Sequence, residues 1–260
     1  MKTINILALG DITGENAVIK LEKELKSIKT KFNIDFVIAN GENAEKARGI
    51  TKELFNRIIE SGVDVITMGN HTFSNNGIHD IDDDRLIIPA NIDENLLNKG
   101  YNISNCKDTK IFVCNLMGKD CVPKPELNAF KVARKIFDEI DSDIKIRVID
   151  FHAGFCNQKR VLAHYLKDEV SIIFGTHTHV QTADESILYN KIGYITDVGM
   201  CGPINSAIGY DLDFETRRFT EELRDDSILA NDSNCMINGC IFKVDVESGK
   251  TIEIKRVNYK

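Results

Sequence analysis

Five short motifs in this chain place a carboxylate, amide or imidazole side chain at the end of an apolar run. These residues are Asp11, Glu42 with Asn43, Asn70 with His71, His152, and His177 with His179. Imidazole, carboxylate and amide oxygen together suit divalent ions such as Fe, Mn or Zn, whereas Ca²⁺ takes oxygen ligands only. The residue types therefore indicate a transition-metal site.

The spacing of His177 and His179 indicates more than one ion. In an extended segment, side chains two residues apart point to the same side, about 6–7 Å from each other. That distance is wide for one ion and suits two ions about 3.5–4 Å apart, which a carboxylate such as Glu42 can bridge. Two divalent ions beside Asp11 and Glu42 would leave a positive pocket in a chain of net charge −7. Such a pocket favours an anionic, phosphate-containing substrate, and a metal-bound hydroxide is a nucleophile near neutral pH.

Each residue also has an ordinary structural interpretation. Asp11 alone could cap a helix, Asn70 could lie in a turn, and His152 could be a satisfied core residue. The paired histidines and the shared position of all five motifs favour the metal site. The two remaining histidines, His79 and His164, are interpreted as structural or surface residues.

Apolar, β-rich runs alternate with amphipathic stretches along the chain. This order predicts an α/β fold with a parallel sheet covered on both faces, whose strands end at one common edge. Residues 237–258 predict an antiparallel hairpin with a turn at 247–250. The predicted strands are 4–10, 35–40, 63–69, 110–118, 145–152, 170–176 and 191–199, and the predicted helices lie near 15–30, 51–60 (capped by Thr51), 126–140 and 157–167.

Composition limits the function classes. The chain has 260 residues, 42% hydrophobic and 28% charged, and we expect one domain over residues 1–260. The net negative charge does not provide the excess of basic residues that binding to duplex nucleic acid or an anionic membrane needs. No apolar run is long enough for a membrane span. Seven irregularly spaced cysteines, with no signal peptide pattern, indicate reduced thiols and a cytoplasmic location.

Six stretches, taken in order, resemble a known family. They are LALGDITG, DFVIANGENA, GVDVITMGNHTF, VIDFHA, GTHTHVQTADE and YITDVGMCGP. They resemble the calcineurin-like metallophosphoesterases and, more closely, their YmdB-like bacterial branch. The superfamily's usual D-x-H is Asp11-Ile12-Thr13 here, and its second Asp is Glu42. Both departures are shared with the YmdB-like branch, although the missing imidazole leaves the metal preference open.

The resemblance implies a four-layer αββα sandwich with mixed sheets and a dinuclear site, usually of Fe or Mn, with Zn as a further candidate. It implies a phosphodiesterase for small anionic phosphodiesters, with 2′,3′-cyclic AMP the first candidate, and it permits a homo-oligomer. Carried over by position, the resemblance assigns Asp11 and His179 to one ion and Asn70, His152 and His177 to the other, with Glu42 bridging the two. It implies that Asn43 and His71 bind the substrate phosphate. It also implies that His71 is the general acid.

Two other functions fit the same residues. A phosphomonoesterase such as a nucleotidase would have the same metal core. A nucleotide-binding regulatory protein with slow turnover would also retain the site.

Overall fold

The computed structural model describes residues 2–46 and 48–260, apart from the side chains of residues 97 and 98. Within these ranges, no helix is both long and apolar enough to cross a bilayer. The helices are α1 (Glu15–Phe32), α2 (Lys52–Ser61), α3 (Ala129–Glu139), α4 (Cys156–Tyr165) and α5 (Leu212–Thr220), with short 3₁₀ turns at Asn76–Asp80 and Glu94–Lys99. The strands are β1 (Thr3–Leu9), β2 (Asp11–Ile12), β3 (Phe36–Asn40), β4 (Val65–Thr67), β5 (Leu86–Ile87), β6 (Tyr101–Cys106), β7 (Thr109–Met117), β8 (Ile146–His152), β9 (Ile172–Thr176), β10 (Ser186–Leu188), β11 (Ile192–Ile195), β12 (Met200–Pro203), β13 (Cys235–Asp245) and β14 (Thr251–Tyr259).

The strands form two mixed sheets. The first has the order β2-β12-β13-β1-β3-β4-β5, with β14 also paired to β13, and the second has the order β10-β11-β9-β8-β7-β6. In the first sheet β1, β3, β4 and β5 are parallel, and in the second β7, β8, β9 and β11 are parallel. The parallel strands of each sheet therefore end at one edge of that sheet.

Alternation along the strands builds four layers. In β1, Leu7 and Leu9 pack towards α1 and α2, while Ile6 points between the two sheets. The same inter-sheet cluster contains Val113 and Val148 of the second sheet. The outer face of that second sheet packs against α3 and α4. The fold is thus the αββα sandwich expected from the resemblance.

The ends of α2 confirm the predicted capping signals. The Thr51 hydroxyl accepts a hydrogen bond from the Leu54 N–H, as an N-cap side chain does. Gly62 follows the helix with a φ of 113°, in the left-handed region where a residue without Cβ is not strained.

One feature of the predicted sheet was wrong. The parallel strands are divided between two sheets, because a strand buried on both faces has the same sequence pattern in either one. The predicted hairpin is confirmed as β13 and β14, and β14 forms an antiparallel edge of the first sheet, where it pairs with β13. Strand β13 lies inside the first sheet, antiparallel to both β1 and β12.

Candidate active site

The predicted site residues come from strand ends of both sheets. Asp11 begins β2, while Glu42 and Asn43 follow β3, and Asn70 and His71 follow β4, all in the first sheet. The second sheet contributes His152, the last residue of β8, together with His177 and His179 after β9. The structure brings all of them together where the ends of the two sheets face each other.

His152 is the centre of one half of this cluster. Its Nε2 lies 3.0 Å from Oε1 of Glu42, 3.0 Å from Oδ1 of Asn70 and 2.9 Å from Nδ1 of His177. The Asn70 amide nitrogen donates to the Val122 carbonyl, which leaves the amide oxygen directed at the imidazole. Four ligand-type side chains therefore meet at one point.

Asp11 and His179 form the other half. Oδ1 of Asp11 lies 3.7 Å from Nε2 of His179, whose Nδ1 is 2.7 Å from the Ile208 carbonyl oxygen. Asn43 lies between the halves, with its amide nitrogen 3.4 Å from Glu42 Oε1 and 3.3 Å from His179 Nε2. Glu42 is thus placed between the two groups of imidazoles.

The donor set fits divalent cations. Within the described residues, Asp11 Oδ1 is a buried carboxylate oxygen without a hydrogen-bond partner, and such an atom is costly to bury unless a cation or donor meets it. The ligand atoms of Asp11, Glu42 and His152 all lie within 4.8 Å of one another. Mixed nitrogen and oxygen donors at this spacing match Fe, Mn or Zn.

A buried hydrogen-bond chain fixes the ring of His152. Its Nδ1 lies 2.9 Å from the Thr176 hydroxyl, which itself donates to Oδ1 of Asp150 at 2.8 Å. Because that hydroxyl has only one proton to donate, it accepts the Nδ1–H of the imidazole. Nε2 is therefore the nitrogen directed into the cluster, and a partner of this kind is typical of metal-binding histidines. Burial raises the pKa of Asp150 to about 7, although hydrogen bonds from Thr67 and Thr176 favour the charged carboxylate and partly oppose this increase.

The pKa values of the cluster residues shift in different directions. Burial opposes ionisation of Glu42, but the charge of His152 and the hydrogen bonds from His152 and the His71 N–H outweigh it and lower the pKa of Glu42 to about 2. Burial likewise opposes the charge on His152, yet Glu42 and Asp11 raise its pKa to about 9. Burial and the neighbouring His152 lower the pKa of His177 to about 4. The Glu42 carboxylate thus remains charged in the protein interior because the imidazole of His152 and the His71 N–H face it.

His71 and His177 are the two members of the cluster that are only partly buried. The backbone N–H of His71 donates to Glu42 Oε2 at 2.8 Å, and its ring lies beside the Asn70 amide and the Ser74 hydroxyl. Burial lowers the pKa of His71, with a further contribution from the charge of Arg48. The imidazole is therefore anchored to the cluster through its backbone and is open on one side.

The segment with His177 and His179 is not extended. The two residues have φ values of 99° and 62°, so both occupy the left-handed region, and the extended geometry expected from the sequence was wrong. Non-glycine residues in this region cost of order 1–3 kcal/mol each and need support from their surroundings. The left-handed turn directs His177 to His152 and His179 to Asp11.

A buried ion pair supports this turn. Nζ of Lys159 in α4 lies 3.0 Å from Oδ2 of Asp197, and both side chains are fully buried. The ammonium also donates to the Thr176 carbonyl at 2.9 Å, while Asp197 accepts the Thr178 N–H at 3.1 Å. The pair therefore fixes both peptide groups that flank His177.

Gly69 allows the two sheets to approach at the site. A Cβ atom there would lie 2.4 Å from the His152 ring and 2.5 Å from Glu42 Oε2. Its φ is not in the left-handed region, so lack of space, and not a turn, requires glycine.

Sequence reasoning missed the supporting residues Lys159, Asp150, Thr176 and Asp197. Lys159 looks like one more charged position on an amphipathic helix. Asp150 and Asp197 did have a signal, since each lies within an apolar strand or at its end, where a charged residue needs a partner.

Comparisons with known proteins show the family and the fold of this chain. Residues 7–257 match the model of the family described as YmdB-like protein. A Bacillus subtilis protein named 2′,3′-cyclic-nucleotide 2′-phosphodiesterase is 35% identical, over 98% of this chain and 96% of that protein. The crystal structure of a Mycoplasma pneumoniae protein described as a novel phosphatase superposes with a TM-score of 0.92 at 32% identity, covering 99% of this chain and 94% of that one. A hypothetical protein from Thermus thermophilus gives a TM-score of 0.87 at 26% identity, covering 98% and 99% of the respective chains.

Proposed function

Because the chain belongs to the YmdB-like family, we propose that it is a metal-dependent phosphodiesterase whose substrates are 2′,3′-cyclic nucleotides such as 2′,3′-cyclic AMP. The observation that carries this proposal is the buried cluster in which Glu42 lies between His152 and the Asp11–His179 pair. The name of the Bacillus subtilis relative supports the substrate class.

Six residues would bind a pair of divalent ions of Fe, Mn or Zn. Asp11 and His179 are assigned to one ion, Asn70, His152 and His177 to the other, and Glu42 to both. Such a pair supplies a Lewis acid for phosphoryl oxygens and a water of lowered pKa.

Asn43 and His71 are assigned to the substrate. The Asn43 amide lies between Glu42 and His179, so its N–H groups can donate to a phosphate oxygen at the junction of the two halves. His71 is the proposed general acid, which gives a proton to the leaving ribose oxygen. Although burial lowers its pKa in the free protein, a bound phosphodiester anion would favour the protonated imidazole.

Hydrolysis of matched esters tests the proposal. Protein loaded with Mn²⁺ or Fe²⁺ is given 2′,3′-cyclic AMP, bis(p-nitrophenyl) phosphate and p-nitrophenyl phosphate. We expect turnover of both diesters, with the monoester much slower, and we expect the 3′-nucleotide as product, since the relative's name specifies cleavage of the 2′ ester.

Other outcomes would identify the alternatives. Faster hydrolysis of the monoester would support a phosphomonoesterase, an activity that the description of the Mycoplasma pneumoniae structure favours. Cyclic nucleotide recovered intact from metal-loaded protein would support a regulatory, nucleotide-binding role.

A further inference from the structure

A cysteine lies beside the half-site formed by His152 and His177. Cys121 follows β7 by a short turn and is buried, with 2% of its surface exposed. Its Sγ and one ligand nitrogen of each of the two histidines all lie within 4.8 Å of one another. Among the described residues, none of the other six cysteines belongs to such a group.

The loop holds this thiol in a fixed position. The Gly118 N–H donates to the His152 carbonyl at 2.8 Å, and the Cys121 N–H donates to the Gly118 carbonyl at 3.3 Å. The preceding Asp120 accepts the Phe155 N–H at the start of α4 at 2.7 Å. Cys121 is therefore tied to the same strand end as His152.

The residue after Cys121 is tied to the site as well. The Val122 carbonyl accepts the side-chain amide of Asn70 at 3.0 Å and so orients the amide oxygen towards His152. The thiol thus lies between two anchored residues, on the same side of the cluster as Asn70.

We propose that the Cys121 thiolate is an additional ligand of the ion that Asn70, His152 and His177 would bind. This inference rests on the proposed metal-dependent function. A thiolate is a softer ligand than a carboxylate, so it shifts the preference of this half-site towards Zn²⁺ or Fe²⁺ and away from Mn²⁺. When the ion binds, the S–H bond of Cys121 breaks, a sulfur–metal bond forms and the proton leaves to solvent. No oxidant is needed.

The separations are compatible with coordination. With bonds of about 2.3 Å to sulfur and about 2.0–2.1 Å to nitrogen, neighbouring sulfur and nitrogen ligands of one ion would lie about 3.1–3.6 Å apart. This range falls inside the 4.8 Å within which the three atoms lie. The Sγ is now 3.5 Å from the His152 carbonyl oxygen, and an S–H group is a weak donor whose loss costs little.

The charge surroundings explain why the thiol needs a cation. Burial, and then the nearby Asp120 and Glu42, raise the pKa of Cys121 to about 12, so the group is a neutral thiol in the metal-free protein. A bound metal ion would favour the thiolate over the thiol, because a coordinating thiol loses its proton.

Cobalt substitution tests the inference with a readout other than activity. The wild-type protein is loaded with Co²⁺, and its visible and near-ultraviolet spectra are recorded beside those of Cys121→Ser and Cys240→Ser. Cys240 is equally buried, but it lies in the inter-sheet core. We expect cobalt d–d bands in all three proteins and a sulfur-to-cobalt charge-transfer band in the wild type and Cys240→Ser only.

The outcomes separate this inference from the proposed function. Cobalt d–d bands without a charge-transfer band in the wild type would overturn the thiolate ligand and leave the metal site in place. Absence of cobalt binding in the wild type would overturn both. If Cys121→Ser does not fold, X-ray absorption of the zinc-loaded wild type decides the question, since a sulfur neighbour at about 2.3 Å is expected and its absence refutes the inference.

Discussion

Removing the charge of Lys159 is expected to destabilise the protein and weaken metal binding together. The substitution Lys159→Met retains a long apolar side chain in α4 but leaves Asp197 buried without its cationic partner. Asp197 would still accept the backbone N–H groups of Thr178 and Gly199. The Thr176 carbonyl, which now accepts from the ammonium, would lose that donor.

The burial of the pair sets the size of the effect. Both side chains are 0% exposed, so solvent cannot replace the lost partner. Breaking a buried ion pair by removing one member costs about 3–5 kcal/mol. At about 2–4 °C per kcal/mol for a chain of this size, the melting temperature should fall by about 10 °C.

A double-mutant cycle measures the interaction itself. The variants are Lys159→Met, Asp197→Asn and the combination of both, each studied by urea unfolding and by Mn²⁺ titration. The combined variant removes both charges and keeps an amide oxygen for the Thr178 N–H. It should therefore be about 2 kcal/mol more stable than the sum of the single losses predicts. Metal affinity should fall in each single variant, because the pair fixes both peptide groups that flank His177.

The surface ion pair of Arg57 with Glu22, at 2.8 Å, provides the control. The same guanidinium also lies 2.6 Å from Glu15, whose side chain is largely exposed. Because both pairs are partly solvated, Arg57→Met should cost less than about 1 kcal/mol and leave metal affinity unchanged. If Lys159→Met costs no more than Arg57→Met, or if the two single losses simply add, the assignment of a supporting role to the buried pair is refuted.

Three further predictions concern other positions. The variant His71→Asn should lose about 10²–10⁴-fold in kcat on 2′,3′-cyclic AMP but far less on an ester with a nitrophenol leaving group, and equal losses on both would contradict the general-acid role. The variant Gly69→Ala should bind metal at least about tenfold more weakly in calorimetric titrations, because its Cβ would lie 2.4 Å from the His152 ring. An unchanged affinity would show that the site accommodates the added Cβ, which would contradict the requirement for glycine. Burial opposes the charge of Asp184, but hydrogen bonds from Thr182 and Thr196 outweigh it and keep the pKa of Asp184 below its usual value. Asp184→Asn should therefore be less stable than wild type at pH 7, with the difference shrinking as the pH falls below about 4, whereas a pH-independent difference in urea unfolding would argue against this contribution.

Local signals predicted most of the elements. Apolar runs identified the central strands, and the hydroxyl of Thr51 and the glycine at position 62 marked the ends of α2 as expected. The positions of the ligand-type residues after strands were also visible, because a polar motif that interrupts an apolar run stands out. Their convergence followed from the rule that parallel strands end at a common edge.

Long-range and backbone features were not predictable in this way. The division of the strands into two sheets depends on pairing between distant segments, as does the position of β13 beside β1. The left-handed turn at His177 depends on Lys159 and Asp197, which are 38 residues apart. The proximity of Cys121 to His152 arises from a loop whose hydrogen bonds have no local sequence signature.

Metal content and turnover in two histidine variants decide whether this protein is a metal-dependent phosphodiesterase. Elemental analysis and 2′,3′-cyclic AMP hydrolysis are measured on the wild type, on His177→Ala and on the control His164→Ala, whose side chain lies at the surface of α4. We expect about two transition-metal ions per chain in the wild type and the control, with turnover lost only in His177→Ala. Equal turnover in His177→Ala and wild type, or no bound metal after reconstitution of the wild type, would contradict this assignment.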